Sequence, residues 1–166
     1  TDDVLEGDTQ ALDKMIMQWL RHGDGTPIGP AWLPTAAQDL TALGGYSVLT
    51  LIGVIALGLC LIARRYDVLA MLAFSSIGAT AINFSLKTLF ARPRPSIIDP
   101  LVDVHTFSYP SGHALMSFAI YLSFAAVTAE LAAGYRTRAY LVCAGVFIAG
   151  IVGLTRVYLG VHYPSD

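Results

Sequence analysis

Charge is what this sequence has least of. Ten Lys and Arg and twelve Asp and Glu make up only 13% of its 166 residues, against about 25% in soluble domains. With a mean hydropathy of +0.60, too little polar surface remains for water to solvate the whole exterior, so lipid must cover part of it. A net charge of −2 excludes the basic footprint of a nucleic-acid partner. Charge runs and low-complexity tracts are missing as well. The only two cysteines, Cys60 and Cys143, each fall inside an apolar run. That excludes a disulfide framework, and both read as small buried hydrophobes. Neither C-x-x-C nor H-E-x-x-H spacing occurs, so no metal or other cofactor is expected. The chain begins with Thr1 and shows no signal peptide; the expectation is of a sequence cut at its front.

What is there is apolar and long. Four stretches, at 45–63, 68–86, 114–133 and 139–155, read as membrane-spanning helices, each close to the ~20 residues that a bilayer demands. The fold class is therefore all-α, a polytopic membrane helical bundle. Gly53, Gly58, Gly145, Gly150 and Gly153 recur along the spans, where small residues let helix backbones approach closely. Residues 4–20 place Leu5, Leu12, Met15, Ile16, Trp19 and Leu20 near helical spacing. They predict an amphipathic helix lying in the membrane interface. The turn-rich connector 23–34 carries Trp32 as an interface anchor. Residues 1–43 are expected outside the membrane, and residues 44–166 form the transmembrane core.

The connections divide between two faces. Short basic turns with Arg64, Arg65, Arg136 and Arg138 lie on one. The other receives the N-terminal segment, residues 87–113 and the end of the chain. By raw count the positive-inside rule puts the second face in the cytoplasm; it puts the short turns there, and the second face outside, only if the second set of cations is discounted as functional.

Three clusters on that second face carry the chemistry. In "KTLFARPRP", Lys87 closes a span and Arg94 follows seven residues later, before Pro95. Prolines stop the helix, and a Lys and an Arg together suit an anionic group, one as a point charge and the other as a fork of donors. In "YPSGH", Ser111 is placed to cap the third span, with Gly112 and His113 in its first turn. A helix N-terminus offers N–H groups to an anion, Gly112 leaves that approach open, and His113 can exchange a proton near neutral pH. In "TRVYLGVHYPSD", Arg156, His162 and Asp166 follow in order, and Pro164 suits the first turn of a new helix. That turn puts the Asp166 carboxylate within reach of one imidazole nitrogen, making the other more nucleophilic. Each cluster alone also fits a plain helix cap, a snorkelling cation or a structural His–Asp bond. Together they bring two histidines, a carboxylate and several cations to one membrane face, which suits phosphate.

K-x6-R-P, P-S-G-H and R-x5-H-x3-D resemble the three signatures of the type 2 phosphatidic acid phosphatase (PAP2) superfamily. The match falls at Lys87, Arg94, Pro95, 110–113, Arg156, His162 and Asp166, with Thr155 where the family usually has Ser. The resemblance is to the membrane lipid phosphatase branch, from about residue 37 onward. It implies His162 as nucleophile forming a phosphohistidine, Asp166 as its orienting base, and His113 as proton donor and then activator of water. It assigns Lys87, Arg94, Ser111, Gly112 and Arg156 to the phosphoryl oxygens, with the Thr155 hydroxyl still able to donate. It further implies six spans in the full-length protein, and hence further spans before Thr1 and after Asp166. The implied location is a bacterial inner membrane with the site facing the periplasm or exterior. The implied substrate is a lipid phosphate or diphosphate, chosen by the loop 96–109, with the bilayer as the other partner. Two alternatives stand beside this reading. A non-enzymatic lipid-phosphate binder or transporter would not need both histidines, and a vanadium haloperoxidase would be soluble. Among the remaining polar residues, Arg92 reads as a headgroup contact or surface charge, Asn83 as a bond between helices, and His105 as a loop residue.

Overall fold

The computed structural model describes residues 9–104 and 106–166, so His105 and residues 4–8 of the amphipathic segment lie outside the described residues. Six helices follow in order: α1 (Thr9–Trp19), α2 (Leu33–Ala42), α3 (Tyr46–Ile62), α4 (Tyr66–Phe90), α5 (Gly112–Leu131) and α6 (Tyr135–Tyr158). No strand occurs among the described residues. Four segments are long and apolar enough to cross a membrane: Leu33–Ile62, Tyr66–Phe90, Gly112–Glu130 and Tyr135–Tyr158. The second and fourth outrun the expected spans by running on into polar residues, Asp67 and Lys87 in one and Arg136, Arg138 and Arg156 in the other.

Two tight turns, at 63–65 and 132–134, make α3/α4 and α5/α6 into antiparallel hairpins. α5 packs along α6 and α4 and touches α3, while α2 lies against α6. One core cluster joins Leu49 of α3, Ala79 of α4, and Met116 and Ile120 of α5. A second joins Ala56, Val68 and Leu72 toward the turn 63–65. A third gathers Ala37 of α2 with Leu159 and Val161 beyond α6, and Leu101, Val102 and Val104 of the long loop pack on it. Outward-facing residues are large and apolar, among them Phe74, Phe84, Phe147 and Leu154. That surface is the inverse of a water-soluble protein's and fits hydrocarbon.

α1 is amphipathic as expected. Leu12, Met15 and Trp19 are exposed on one face, while Asp13 and Met17, one turn apart, are buried on the other. α4 ends sharply at Ala91, whose φ of 42° is left-handed and whose amide closes on Lys87 O at 3.0 Å. That turn swings residues 92–95 off the helix axis, before either proline acts.

Two expectations need correction. Cys143 is exposed on α6 rather than buried, and only Cys60 packs near a core cluster; both are free thiols. The glycines do not all serve helix approach. A Cβ at Gly53, Gly58 or Gly150 would meet nothing within 4 Å. At Gly145 it would stand 3.0 Å from both Ala125 Cβ and Tyr121 O of α5. The close α5–α6 approach therefore hangs on Gly145. Gly145→Val should lower stability in detergent by about 1–3 kcal/mol through overpacking, while Gly53→Ala leaves it unchanged or slightly raised. Thermal unfolding of the two variants beside the parent checks this.

Candidate active site

The C-terminal ends of α4 and α6 and the N-terminal ends of α3 and α5 meet at one end of the bundle. All eight residues singled out from the sequence lie there. Ser111 caps α5 by accepting from the Ala114 amide at 3.5 Å. Its own amide donates to Asp166 O at 3.3 Å, tying the start of α5 to the end of the chain. Gly112 is buried so tightly that a Cβ would lie 3.0 Å from Tyr46 Oη and 3.5 Å from the Asn83 amide group. The His113 ring follows, meeting Tyr46 edge-on with centroids 6.4 Å apart.

His162 is 2% exposed, and its Nδ1 lies 3.0 Å from Asp166 Oδ2. Its other nitrogen, Nε2, lies 3.3 Å from Arg94 Nη1. Arginine can only donate, so Nε2 must present its lone pair and Nδ1 must carry the proton, given to Asp166. The imidazole is thereby held in one tautomer with its lone-paired nitrogen turned toward Arg94. Burial keeps its pKa below the ordinary histidine value, the Asp166 hydrogen bond working against that shift. His162 is therefore neutral at pH 7.

Asp166 is the most heavily bonded side chain in the site. Oδ2 accepts from His162 Nδ1, from the Tyr163 amide at 2.9 Å and from the Ser108 hydroxyl. Burial would raise its pKa, but the donated hydrogen bonds from His162, Ser108 and Tyr163 jointly outweigh it and hold the carboxyl below its usual range. Asp166 stays ionised. Residues 163–166 form a single turn closed by Asp166 N to Tyr163 O at 3.1 Å, and Pro164 sits within it.

The cations are fastened by the long loop. Arg94 donates through Nε to Thr106 O at 2.6 Å, through Nη2 to Thr106 Oγ1 at 2.9 Å and through Nη1 to Val161 O at 2.6 Å. Lys87 Nζ donates to Phe107 O at 2.5 Å. Arg156, 4% exposed, reaches Thr41 Oγ1 of α2 at 3.3 Å, while its Nε has no partner among the described residues. These three cations and His113 lie within electrostatic reach of one another. Such a crowd is self-repelling and calls for an anion. From Ser111, His162 and Asp166 a cleft of about 660 Å³ opens between α1, α5 and α6. Its walls are mostly apolar, with Ile16, Trp19, Phe118, Leu154 and Val157 among them.

Four sequence expectations change here. Arg92 is no headgroup contact: it is paired with two buried carboxylates, Asp13 at 2.9 Å and Asp166 at 2.6 Å. Asn83 is buried but makes no bond across helices through Nδ2, which lacks a partner, and lies instead against Gly112. The Thr155 hydroxyl is buried and donates to Val152 O at 2.7 Å, turned into its own helix. The loop 96–109, expected to choose the substrate, also fastens the site: Thr106 holds Arg94, Phe107 holds Lys87 and Ser108 holds Asp166. Sequence reading missed Ser108, Thr41 and Asp13. No spacing marks the first two, but a carboxylate one turn from Met17 on the inward face of an amphipathic helix was a usable signal for the third.

Comparisons with known proteins place the chain in a family. The sequence profile of the PAP2 superfamily matches residues 67–166. Phosphatidylglycerophosphatase B of Bacillus subtilis (strain 168) is 34% identical over 139 residues, 81% of this chain and 66% of that protein. Decaprenylphosphoryl-5-phosphoribose phosphatase of Mycobacterium tuberculosis is 34% identical over 144 residues, 82% of this chain and 71% of its own length. Among solved structures, the transmembrane PAP2 type phosphatidylglycerolphosphate phosphatase from Bacillus subtilis superposes with a TM-score of 0.83 at 27% identity, covering 96% of this chain and 77% of that one. Aquifex aeolicus LpxE gives 0.67 at 26% identity, over 95% and 84%. The chain belongs to the PAP2 superfamily, and the relatives it matches are membrane-spanning lipid phosphatases.

Proposed function

We propose that this protein hydrolyses a lipid-linked phosphate or diphosphate through a phosphohistidine on His162, without a metal. The observation that carries the reading is the imidazole held between Asp166 and Arg94, with Nε2 lone-paired and aimed into the cluster of cations. In the first step Nε2 attacks phosphorus, the P–O bond to the lipid breaks, and His113 as imidazolium gives its proton to the departing oxygen. In the second step the neutral His113 takes a proton from water, whose oxygen attacks phosphorus while the P–N bond breaks. Inorganic phosphate leaves, and both histidines return to their starting states. Lys87, Arg94, Arg156, Ser111 and the Gly112 amide hold the phosphoryl oxygens, supplying the electrostatic stabilisation that dominates phosphoryl transfer.

The apolar cleft supports a substrate with an acyl or prenyl tail, its headgroup at the cations and its chain between α5 and α6. Phosphatidylglycerol phosphate leads the candidates through the Bacillus relatives, with undecaprenyl diphosphate and phosphatidate beside it. The likeness to a decaprenylphosphoryl-5-phosphoribose phosphatase supports keeping a prenyl-tailed substrate among them. Residues 1–43 are proposed to lie outside the membrane, and the site to face the exterior of a bacterial inner membrane.

A phosphate-release panel over these three lipids, with EDTA and with vanadate, should show turnover that survives EDTA and is blocked by vanadate. Dependence on a divalent metal would refute the mechanism. His162→Ala should abolish turnover. His113→Ala should lose about 10²–10⁴-fold and accumulate a phosphoenzyme trappable by acid quench; turnover by His162→Ala removes the nucleophile assignment. Because burial lowers the His162 pKa, the nucleophile stays neutral to below the ordinary value of about 6.5. The acid limb of kcat/KM should therefore have its midpoint below that pH, and a midpoint above it would contradict the tautomer described.

A further inference from the structure

The mechanism uses neither Arg92 nor Asp13, yet these are tied more firmly to the site than most residues in it. Asp13 belongs to α1, which precedes every membrane span described. Its side chain is 2% exposed, and its contacts lie in two site segments. Oδ2 accepts from Arg92 Nη2 at 2.9 Å and from Ser165 Oγ at 2.5 Å, and Oδ1 accepts from the Ser165 amide at 3.1 Å. Arg92 continues the chain of contacts. Its Nη1 donates to Asp166 Oδ1 at 2.6 Å and to Ser165 Oγ at 3.0 Å, and its guanidinium lies over the Tyr163 ring, 4.2 Å from the centroid.

The division of labour at Asp166 is the point. Oδ2 faces His162, Ser108 and the Tyr163 amide, whereas Arg92 is the side-chain donor recorded on Oδ1. A carboxylate held on one oxygen can still rotate about its Cβ–Cγ bond; one held on both cannot. Arg92 also places a positive charge against the carboxylate that sets the basicity of His162, and Asp13 draws off part of that charge. A buried carboxylate with no counter-ion would be costly, so Asp13 holds α1 where Arg92 is.

We propose that Arg92 and Asp13 are positioning residues that set the orientation and effective charge of Asp166, making the docked α1 helix part of the catalytic apparatus. The proposal rests on the reading of His162 as the nucleophile. Arg92 contributes geometry through its two-pronged contact with both carboxylates, which a lysine cannot reproduce. His162 meets further charged or titratable groups: Asp166 after α6, Arg94 after α4, Arg156 on α6 and His113 on α5, with Lys87 at the end of α4. All of these keep their identity and charge in both variants below, so any change in the titration of His162 traces to the loss of the Arg92–Asp13 pair.

The test measures kcat, KM and the acid limb of kcat/KM for purified Arg92→Gln and Asp13→Asn proteins on the lipid phosphate that the panel finds best. Removing a cation beside Asp166 strengthens its hold on the imidazolium, so Arg92→Gln should move the acid limb upward. Removing an anion does the reverse, and Asp13→Asn should move it downward while its remaining oxygen still accepts from the Ser165 amide. Arg92→Gln should lower kcat by about 10–100-fold, the scale of a misplaced reactive group, with KM within two-fold. Arg92→Lys should keep the parent's pH limb and recover only part of kcat. Limbs that stay put, limbs that move in the same direction, or a loss confined to KM overturn the proposal. If Arg92→Gln does not fold, Asp13→Asn decides alone: a downward limb supports the inference and an unmoved one ends it. Turnover by His162→Ala would instead strike the underlying reaction, whatever these variants do.

Discussion

The carboxylate of Asp166 is the interaction on which the site end of this bundle depends. Its side chain is 1% exposed, and an ion so buried is stable only where donors replace its water. Those donors come from separate parts of the chain: Arg92 beyond α4, Ser108 from the long loop, and His162 and the Tyr163 amide beyond α6. The Asp166 carbonyl adds the amide of Ser111 at the start of α5. Satisfying one charge thus pulls together segments that hydrophobic packing alone would leave free to slide, since helices in lipid gain little from apolar contact with one another.

A second constraint opposes it. Lys87, Arg94 and Arg156 stand close enough to repel, and the protein holds them there by local hydrogen bonds to carbonyls and hydroxyls. The third core cluster, Ala37 with Leu159 and Val161 under Leu101, Val102 and Val104, anchors the loop that supplies several of those acceptors. Packing on one side of the loop therefore underwrites the electrostatics on the other.

The spans were legible because a bilayer imposes length and apolarity, and nothing else in the sequence competes with that signal. The eight motif residues were legible because their spacing sits at helix ends that the spans already locate. What was hidden depends on contacts between distant segments. Arg92 differs from Arg94 by two positions and by nothing in composition, yet one grips two carboxylates and the other carbonyls beside His162. Asn83 and three of the glycines, Gly53, Gly58 and Gly150, mislead for the same reason: helical spacing says that a face exists, not which neighbour it meets. Thr155 turns inward because a helix offers its hydroxyl a carbonyl three residues back, a local choice that family likeness does not reveal.

Arg94 reaches the cluster with its guanidinium already committed to Thr106 and Val161, and Lys87 with its ammonium on Phe107. On the proposed reading, an arriving phosphoryl group would meet cations whose rotamers are already chosen, with little ordering entropy left to lose on binding. The same rigidity makes this end of the site indifferent to what the phosphate is attached to, because a fixed set of cations sees only the oxygens common to every phosphate ester. On that reading, the wide apolar cleft between α1, α5 and α6, with walls such as Trp19, Phe118 and Leu154, would face the part of a substrate that differs from one lipid to another. Its shape could then be altered without disturbing a single charge of the site.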